Sequence, residues 1–109
     1  MRTRNYPYDV KRVTGNAAIA FTVTSDKMFV LHEVRLKLAS TVAQTFTATL
    51  DSAKHANHDY PIASQSMAAL TEHRIVGPWI FDAGDEIDFA MTNGGAVQYG
   101  LEVFIEELK

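Results

Sequence analysis

The sequence predicts an all-β protein: an antiparallel β-sandwich of seven to eight strands, either jelly-roll-like or another Greek key, with an extended N-terminal arm. From residue 17 onward, apolar side chains recur at every second position, which is the period of half-buried strands. These segments are short and are separated by turn residues, as in sandwiches and jelly rolls. The chain has 109 residues, which is enough for one domain with a single core.

The alternation defines the strands one by one. Strands are predicted near residues 17–24, 29–39, 44–51, 71–76, 79–82, 86–92 and 96–107, with an eighth candidate near 59–64. In residues 86–92, for example, Ile87, Phe89 and Met91 alternate with acidic and small residues. The segment SQSMAALTEHR, residues 64–74, is open between a short helix capped by Ser64 and an irregular strand.

The turn Asn93-Gly94-Gly95 bears on the topology. Asn-Gly tolerates the positive φ of primed turns, so this sequence favours a tight hairpin between the last two strands. A jelly roll instead sends its last connection across the sandwich. The sequence therefore leaves the topology open between a jelly roll and another Greek key.

The long segment near residues 29–39 has an ambiguous first half. Its later apolar set, Val34, Leu36 and Leu38, faces inward between charged residues. If one parity holds along the whole strand, Phe29 and Leu31 face outward and need cover. Phe104, between two outward glutamates, is predicted to face outward as well.

The chain divides into an arm, residues 1–16, and one sandwich domain, residues 17–109. The arm has four cations against one acid, a net charge of +3, whereas residues 82–109 have seven acids against one lysine, a net charge of −6. We therefore predict that the arm contacts an acidic surface or outward apolar residues, its own or a neighbour's. The residues predicted to bind a partner are Arg2, Arg4, Tyr6, Tyr8, Lys11, Arg12, Phe29, Leu31 and Phe104.

Composition argues against several functional classes. Without cysteine the chain has no disulfide and no thiolate metal site. It has no signal-peptide pattern and no apolar run long enough to span a bilayer, so we expect a soluble protein that has no membrane partner. Because the chain has no nucleophile elbow and no phosphate-binding glycine loop, we expect neither catalysis nor a cofactor. The acidic pI, near 5.7, argues against nucleic acid as a partner despite the basic arm.

Two groups of side chains are candidate metal ligands. Four acids lie within seven residues, but a strand from residue 86 separates them between a turn and a solvent-exposed face, so we favour a structural turn over a Ca²⁺ site. These acids are Asp82, Asp85, Glu86 and Asp88, and Gly84 is expected to supply a left-handed conformation in the turn. His55 and His58 have the spacing of a zinc pair, with Asp59 as a third ligand, but H-x-x-H in a polar loop is common by chance. Of the other histidines, His32 is predicted to face inward and His73 to lie at the surface. We therefore expect no bound metal.

The pattern resembles the small β-sandwich structural proteins of tailed bacteriophages, of the capsid decoration (cement) or tail-fibre type. The resemblance rests on FVLHEVRLKLAS, TFTATLD, WIFDAGDEIDFAMTN and YGLEVFIEEL. It implies a virion structural protein without enzymatic activity, assembled in the host cytoplasm, that binds the major capsid protein or other virion proteins. It also implies a homo-oligomer, a dimer or trimer, that stabilises a capsid lattice through the arm and exposed apolar residues.

An alternative function is a carbohydrate- or receptor-binding module of a phage tail fibre or spike. Sugars stack on exposed aromatic rings that have polar neighbours. Trp79, Tyr60 and Tyr99 are the candidate rings, although Trp79, beside Pro78, has the pattern of a core or interface residue.

Overall fold

A computed structural model shows a two-sheet β-sandwich and describes residues 9–108. Within that range the chain forms eight strands and one short 3-10 turn, Ala56–His58. The strands are β1 (Asp9–Gly15), β2 (Ile19–Thr24), β3 (Phe29–Leu38), β4 (Thr45–Asp51), β5 (Tyr60–Ser66), β6 (Glu72–Phe81), β7 (Glu86–Met91) and β8 (Tyr99–Glu107). The all-β sandwich predicted from the alternation is confirmed. None of the described residues belongs to a helix of the length and apolarity that a membrane crossing needs.

The strand order is that of a jelly roll. One sheet, here called the front sheet, has the order β1-β8-β3-β6, and the back sheet has the order β2-β7-β4-β5, with all neighbours antiparallel. Consecutive strands β7 and β8 lie in different sheets, so the tight hairpin favoured by the Asn-Gly turn is wrong. The Asn93 side chain instead donates to the carbonyls of Ala17 and Val97 and accepts the Val97 N–H, which fixes a connection that crosses the sandwich.

A β-bulge in β3 corrects the predicted orientation of two residues. Phe29 and Leu31 are fully buried, not outward. The pairing of β3 with β8 shifts between Leu31 and Glu33, which leaves His32 as an extra residue. An extra residue reverses the side-chain parity of a strand, so Phe29 and Leu31 face the core before the bulge, and Val34 faces it afterwards.

The first strand begins earlier than the sequence predicted. Residues 9–15 pair along β8 from Asp9 opposite Ile105 to Gly15 opposite Tyr99, so half of the predicted arm is an edge strand of the sandwich. The alternation does not reveal it because Val13 is its one apolar side chain packed on the core. Arg2, Arg4, Tyr6 and Tyr8 lie outside the described residues.

The middle of the chain forms two strands. Residues 60–66 are β5, so the eighth candidate strand is present and the short helix considered from Ser64 is not. The two strands predicted near 71–76 and 79–82 are a single strand, β6. Gly77 lies in β6 opposite the bulge of β3. A Cβ at this position would lie 2.3 Å from the Leu31 carbonyl oxygen and would clash with it, so glycine is required where the two backbones approach.

Aromatic rings from both sheets fill the core. Phe89 stacks near Phe46 in the back sheet, with ring centroids 6.2 Å apart, and Phe29 stacks on Phe81 in the front sheet at 5.1 Å. His73 also faces the core and makes an edge contact with Phe46. It was predicted to be a surface residue, and His32 an inward one. The bulge and the parity of β6 place them the other way round, with His32 paired to Glu106 on the outer face at 2.8 Å.

Candidate functional site: the outer face of the front sheet

The outer face of the front sheet has a ladder of charges. Arg12, Glu102, Arg35 and Arg74 lie in register across its four strands. Arg12 donates to Glu102 at 2.7 Å, and Glu33 accepts from both Arg35 and Arg74. The hydrogen bond from Arg35, followed by that from Arg74, lowers the pKa of Glu33, and Glu33 in turn raises the pKa of Arg35. At neutral pH this part of the face therefore presents charges of both signs.

The other end of this face is apolar. Met28, Val76 and Ile80 are 45%, 62% and 68% exposed, which is high for such side chains. Val30 pairs with Ile80 across the strands, and Pro78 is exposed between Val76 and Ile80 in β6. We call these five residues, Met28, Val30, Val76, Pro78 and Ile80, the apolar corner; Val30 is buried, at 8% exposed, and the other four are exposed. Exposed apolar side chains grouped on one sheet face are typical of an interaction surface.

The predicted partner-binding residues are only partly brought together. Arg12 and Phe104 lie on the outer face, and Phe104 is half covered by the Arg35 guanidinium, 4.9 Å above its ring. Lys11 pairs with Asp9 at 2.8 Å along the edge strand. Phe29 and Leu31 are in the core and cannot contact a partner.

The residues of the apolar corner were missed because of local geometry. Val76 and Ile80 belong to β6, which the sequence divided at Gly77-Pro78 into two shorter strands. Recognising them required knowing that β6 is continuous and that β3 changes parity at His32. The one signal in the sequence was the alternation of apolar residues within RIVGPWIF, which is compatible with either face.

The outermost strands on one side of the sandwich are each interrupted by proline. Pro61 lies in β5 and Pro78 in β6, and these strands form the edges of the back and front sheets on that side. Proline has no N–H to donate and is a common device against edge-to-edge pairing. Association through these edges is therefore disfavoured, while the sheet faces stay accessible.

The acidic run near residue 85 is a structural clamp. Asp85 is 5% exposed, and its two carboxylate oxygens accept the backbone N–H groups of Ala53 and Asp82 at 2.9 Å each. Gly84 has φ +85°, the left-handed conformation predicted for it. Asp82 forms an ion pair with Lys54 at 3.2 Å. Asp85 thus joins the β4–β5 loop to the β6–β7 turn.

Two of the remaining candidate metal ligands lie on an outer strand face, as the sequence predicted. Glu86 and Asp88 lie on the outer face of the back sheet, where Asp51 of β4 joins them; ligand oxygens of the three acids are within 4.8 Å of one another. Asp51 was missed because it comes from a different strand. His55 accepts the Asn57 N–H with Nδ1, and Asp59 accepts the Ser52 N–H, so both stabilise the β4–β5 loop.

Comparison with known proteins gives the fold and no family. No family model matches the chain, and no curated protein matches it either. Among solved structures it is similar to the nucleoplasmin-like N-terminal domain of Drosophila FKBP39, with a TM-score of 0.52 and 16% sequence identity over 98% of this chain and 97% of that one. That likeness shows the fold alone.

The resemblance to bacteriophage structural proteins is wrong. The structural neighbour is a nucleoplasmin-like domain of a eukaryotic protein, and no phage family supports the resemblance. The segments on which it rested specify short alternating strands and turns, and unrelated families share this pattern because they share the fold. The chain is an eight-stranded antiparallel β-sandwich, similar in fold to that nucleoplasmin-like domain.

Proposed function

We propose that the protein is a non-catalytic assembly module that forms a homo-oligomer through the outer face of the front sheet. The observation that carries this proposal is the apolar corner, in which Val76, Pro78 and Ile80 are exposed at alternate positions of β6 and Met28 is exposed just before β3. Single exposed apolar residues are ordinary, but an adjacent group on a regular surface loses contact with water when a second surface covers it. The occupant we propose is a second copy of this chain.

The dimensions of the face suit such a contact. A sheet of four strands, the longest with 10 residues, presents roughly 30 Å by 20 Å, or about 600 Å². A standard interface buries about 800 Å² on each partner. One face therefore supplies most of the area that a stable pairing needs, and neighbouring residues can supply the rest.

The charges support a pairing between identical copies. The ladder of Arg12, Glu102, Arg35 and Arg74 contains both signs, so that a copy docked against another can place its acids opposite the partner's cations. The apolar corner lies toward one end of the face and the ladder toward the other, so an interface there would combine apolar contacts with charged ones.

The fold gives independent support. Nucleoplasmin-like domains are typically oligomeric, and the prolines in β5 and β6 leave a face as the better route of association. The number of subunits, predicted as two or three, stays a prediction. The role of the arm residues Arg2, Arg4, Tyr6 and Tyr8 is likewise a prediction. The virion location and the capsid partners rested on the phage resemblance, and the comparisons offer no support for them.

The proposal is tested by mass in solution. Ile80→Glu introduces a charge at the centre of the apolar corner and should shift the protein to the monomer. Leu70→Glu is the matched control, because Leu70 is a similarly exposed apolar residue that precedes the opposite end of β6. The proposal fails if both variants keep the wild-type mass, or if both lose it equally. A truncation of residues 1–8, which leaves β1 whole, measures the contribution of the arm separately.

A further inference from the structure

Two aromatic rings meet at the side of the sandwich where β5 and β6 form the sheet edges. The ring centroids of Tyr60 and Trp79 are 6.2 Å apart, and the ring planes are tilted by 42°. Trp79 packs on the core from the front sheet, whereas Tyr60, in the back sheet, is 55% exposed. A tyrosine ring beside a partly buried tryptophan and still open to solvent is an apolar platform for a ligand.

A cavity of about 430 Å³ is lined in part by residues close in sequence to Tyr60 and Trp79. His58 is two residues before Tyr60, and Ile80, Phe81 and Asp82 follow Trp79 directly. The cavity is lined by Leu50, Ser52, Lys54, His58, Ile80, Phe81, Asp82 and Asp85. Its volume is within the range of small-ligand sites, and its lining has three apolar residues beside five polar or charged ones.

The polar groups of the cavity differ in their availability. Both carboxylate oxygens of Asp85 accept backbone N–H groups, so Asp85 holds the loops in place. Asp82 and Lys54 form an ion pair, and both side chains are largely exposed. The Asp82 carboxylate can accept hydrogen bonds from hydroxyl groups, and the Lys54 ammonium can donate to them.

We propose that this edge is a binding site for neutral saccharides, in which Tyr60 stacks on the apolar face of a sugar ring and Asp82, Lys54 and His58 bind its hydroxyl groups. Two acids against one lysine give the cavity an excess of negative charge, which disfavours phosphates and nucleotides. The 42° tilt leaves no parallel slot between the rings for a flat base. A sugar ring needs a single aromatic face with hydrogen-bonding groups beside it.

The site can be tested separately from the proposed assembly function. Ile80 belongs both to the apolar corner and to the cavity wall, whereas Tyr60 and Asp82 lie outside the apolar corner. Variants of Tyr60 and Asp82 therefore test sugar binding without changing a residue of the apolar corner, and the solution mass of each variant shows whether assembly has changed.

The test uses the full chain on an array of neutral oligosaccharides, followed by titration of the best-bound oligosaccharide in solution. Trp79 is the only tryptophan, so its intrinsic fluorescence reports on the site directly. We expect at least one glycan to bind and to change the Trp79 emission. Tyr60→Ala should weaken binding roughly tenfold or more, while Tyr60→Phe, which keeps the ring, should stay within about twofold of the wild type.

A second variant keeps the test decisive if Tyr60→Ala is unstable. Asp82→Asn removes the charge of the hydroxyl-binding carboxylate and should also weaken binding several-fold. Asp51→Asn should not, because the exposed Asp51 carboxylate does not line the cavity and is grouped with Glu86 and Asp88. The proposal is overturned if no neutral glycan binds. It is also overturned if binding is unaffected by Asp82→Asn and by whichever Tyr60 variant folds.

Discussion

Replacement of Asp85 removes the carboxylate that joins the β4–β5 loop to the β6–β7 turn. The carboxylate accepts the N–H groups of Ala53 and Asp82 in a site that is almost closed to water. Asp85→Ala leaves two donors in partly buried hydrogen bonds without these acceptors. Asp85→Asn keeps one carbonyl oxygen, but it turns an NH₂ group toward the other donor, so that one hydrogen bond is lost and two donors face each other.

The expected loss of unfolding free energy follows from the number of hydrogen bonds that each substitution removes. A hydrogen bond to a charged group contributes about 1.5–3 kcal/mol, and a buried donor left unpaired costs about 1–3 kcal/mol. Partial relaxation of the loops lets water reach one of the two N–H groups. We therefore expect Asp85→Ala to lower the free energy of unfolding by about 3–4 kcal/mol and Asp85→Asn by about 2 kcal/mol.

The assay is urea unfolding followed by far-ultraviolet circular dichroism, in which a shift of the midpoint at constant slope reports stability. Asp88→Asn is the matched control, because Asp88 is in the same segment but on the outer face, where it accepts from Thr22. We expect the control to lie within about 0.5 kcal/mol of the wild type. Equal losses of unfolding free energy in Asp85→Asn and Asp88→Asn would refute the reasoning. They would show that the Asp85 carboxylate contributes no more to stability than an exposed acid.

Three further predictions concern the core, the close approach at Gly77 and the pH dependence. Phe29→Ala should destabilise by about 3–5 kcal/mol in the same urea assay, because the ring is fully buried; a loss below about 1 kcal/mol would mean that it faces outward. Gly77→Ala should lower the melting temperature markedly, because its Cβ would clash with the Leu31 carbonyl, and an unchanged melting temperature would contradict that contact. Burial lowers the pKa of His73 below 6.5, so the unfolded state binds the proton more readily, and its contribution to stability is complete above pH 6.5 and declines on acidification below it. His73→Gln should flatten that part of the stability profile, and a profile of unchanged slope would contradict the assignment.

The sandwich was predictable because period-two alternation is a direct record of burial in sheets. Ile87, Phe89 and Met91 face the core as the sequence indicated, and Gly84 has the predicted left-handed conformation. The number of sheets and the short strands follow from the same pattern. The topology did not follow, because Asn93-Gly94-Gly95 is compatible both with a hairpin and with the observed crossing, in which Asn93 binds backbone groups on both sides.

The candidate site was only partly predictable, because it depends on two irregularities. The extra residue at His32 turns Phe29 and Leu31 inward, and Gly77-Pro78 lets β6 continue past the bulge. A bulge leaves no mark in a pattern of alternating residues when both parities are apolar, as they are in FVLH. The apolar corner could therefore be recognised only once the cross-strand register was known.

The face-to-face association is the central claim, and sedimentation equilibrium over a wide range of concentration tests it most directly. We predict that the wild-type protein has a mass that is a multiple of 12.1 kDa and falls toward 12.1 kDa on dilution, and that Ile80→Glu is a monomer throughout. A wild-type mass of 12.1 kDa at every concentration would contradict the assembly. A multimer unchanged by Ile80→Glu would contradict the assignment of the front-sheet face as its contact.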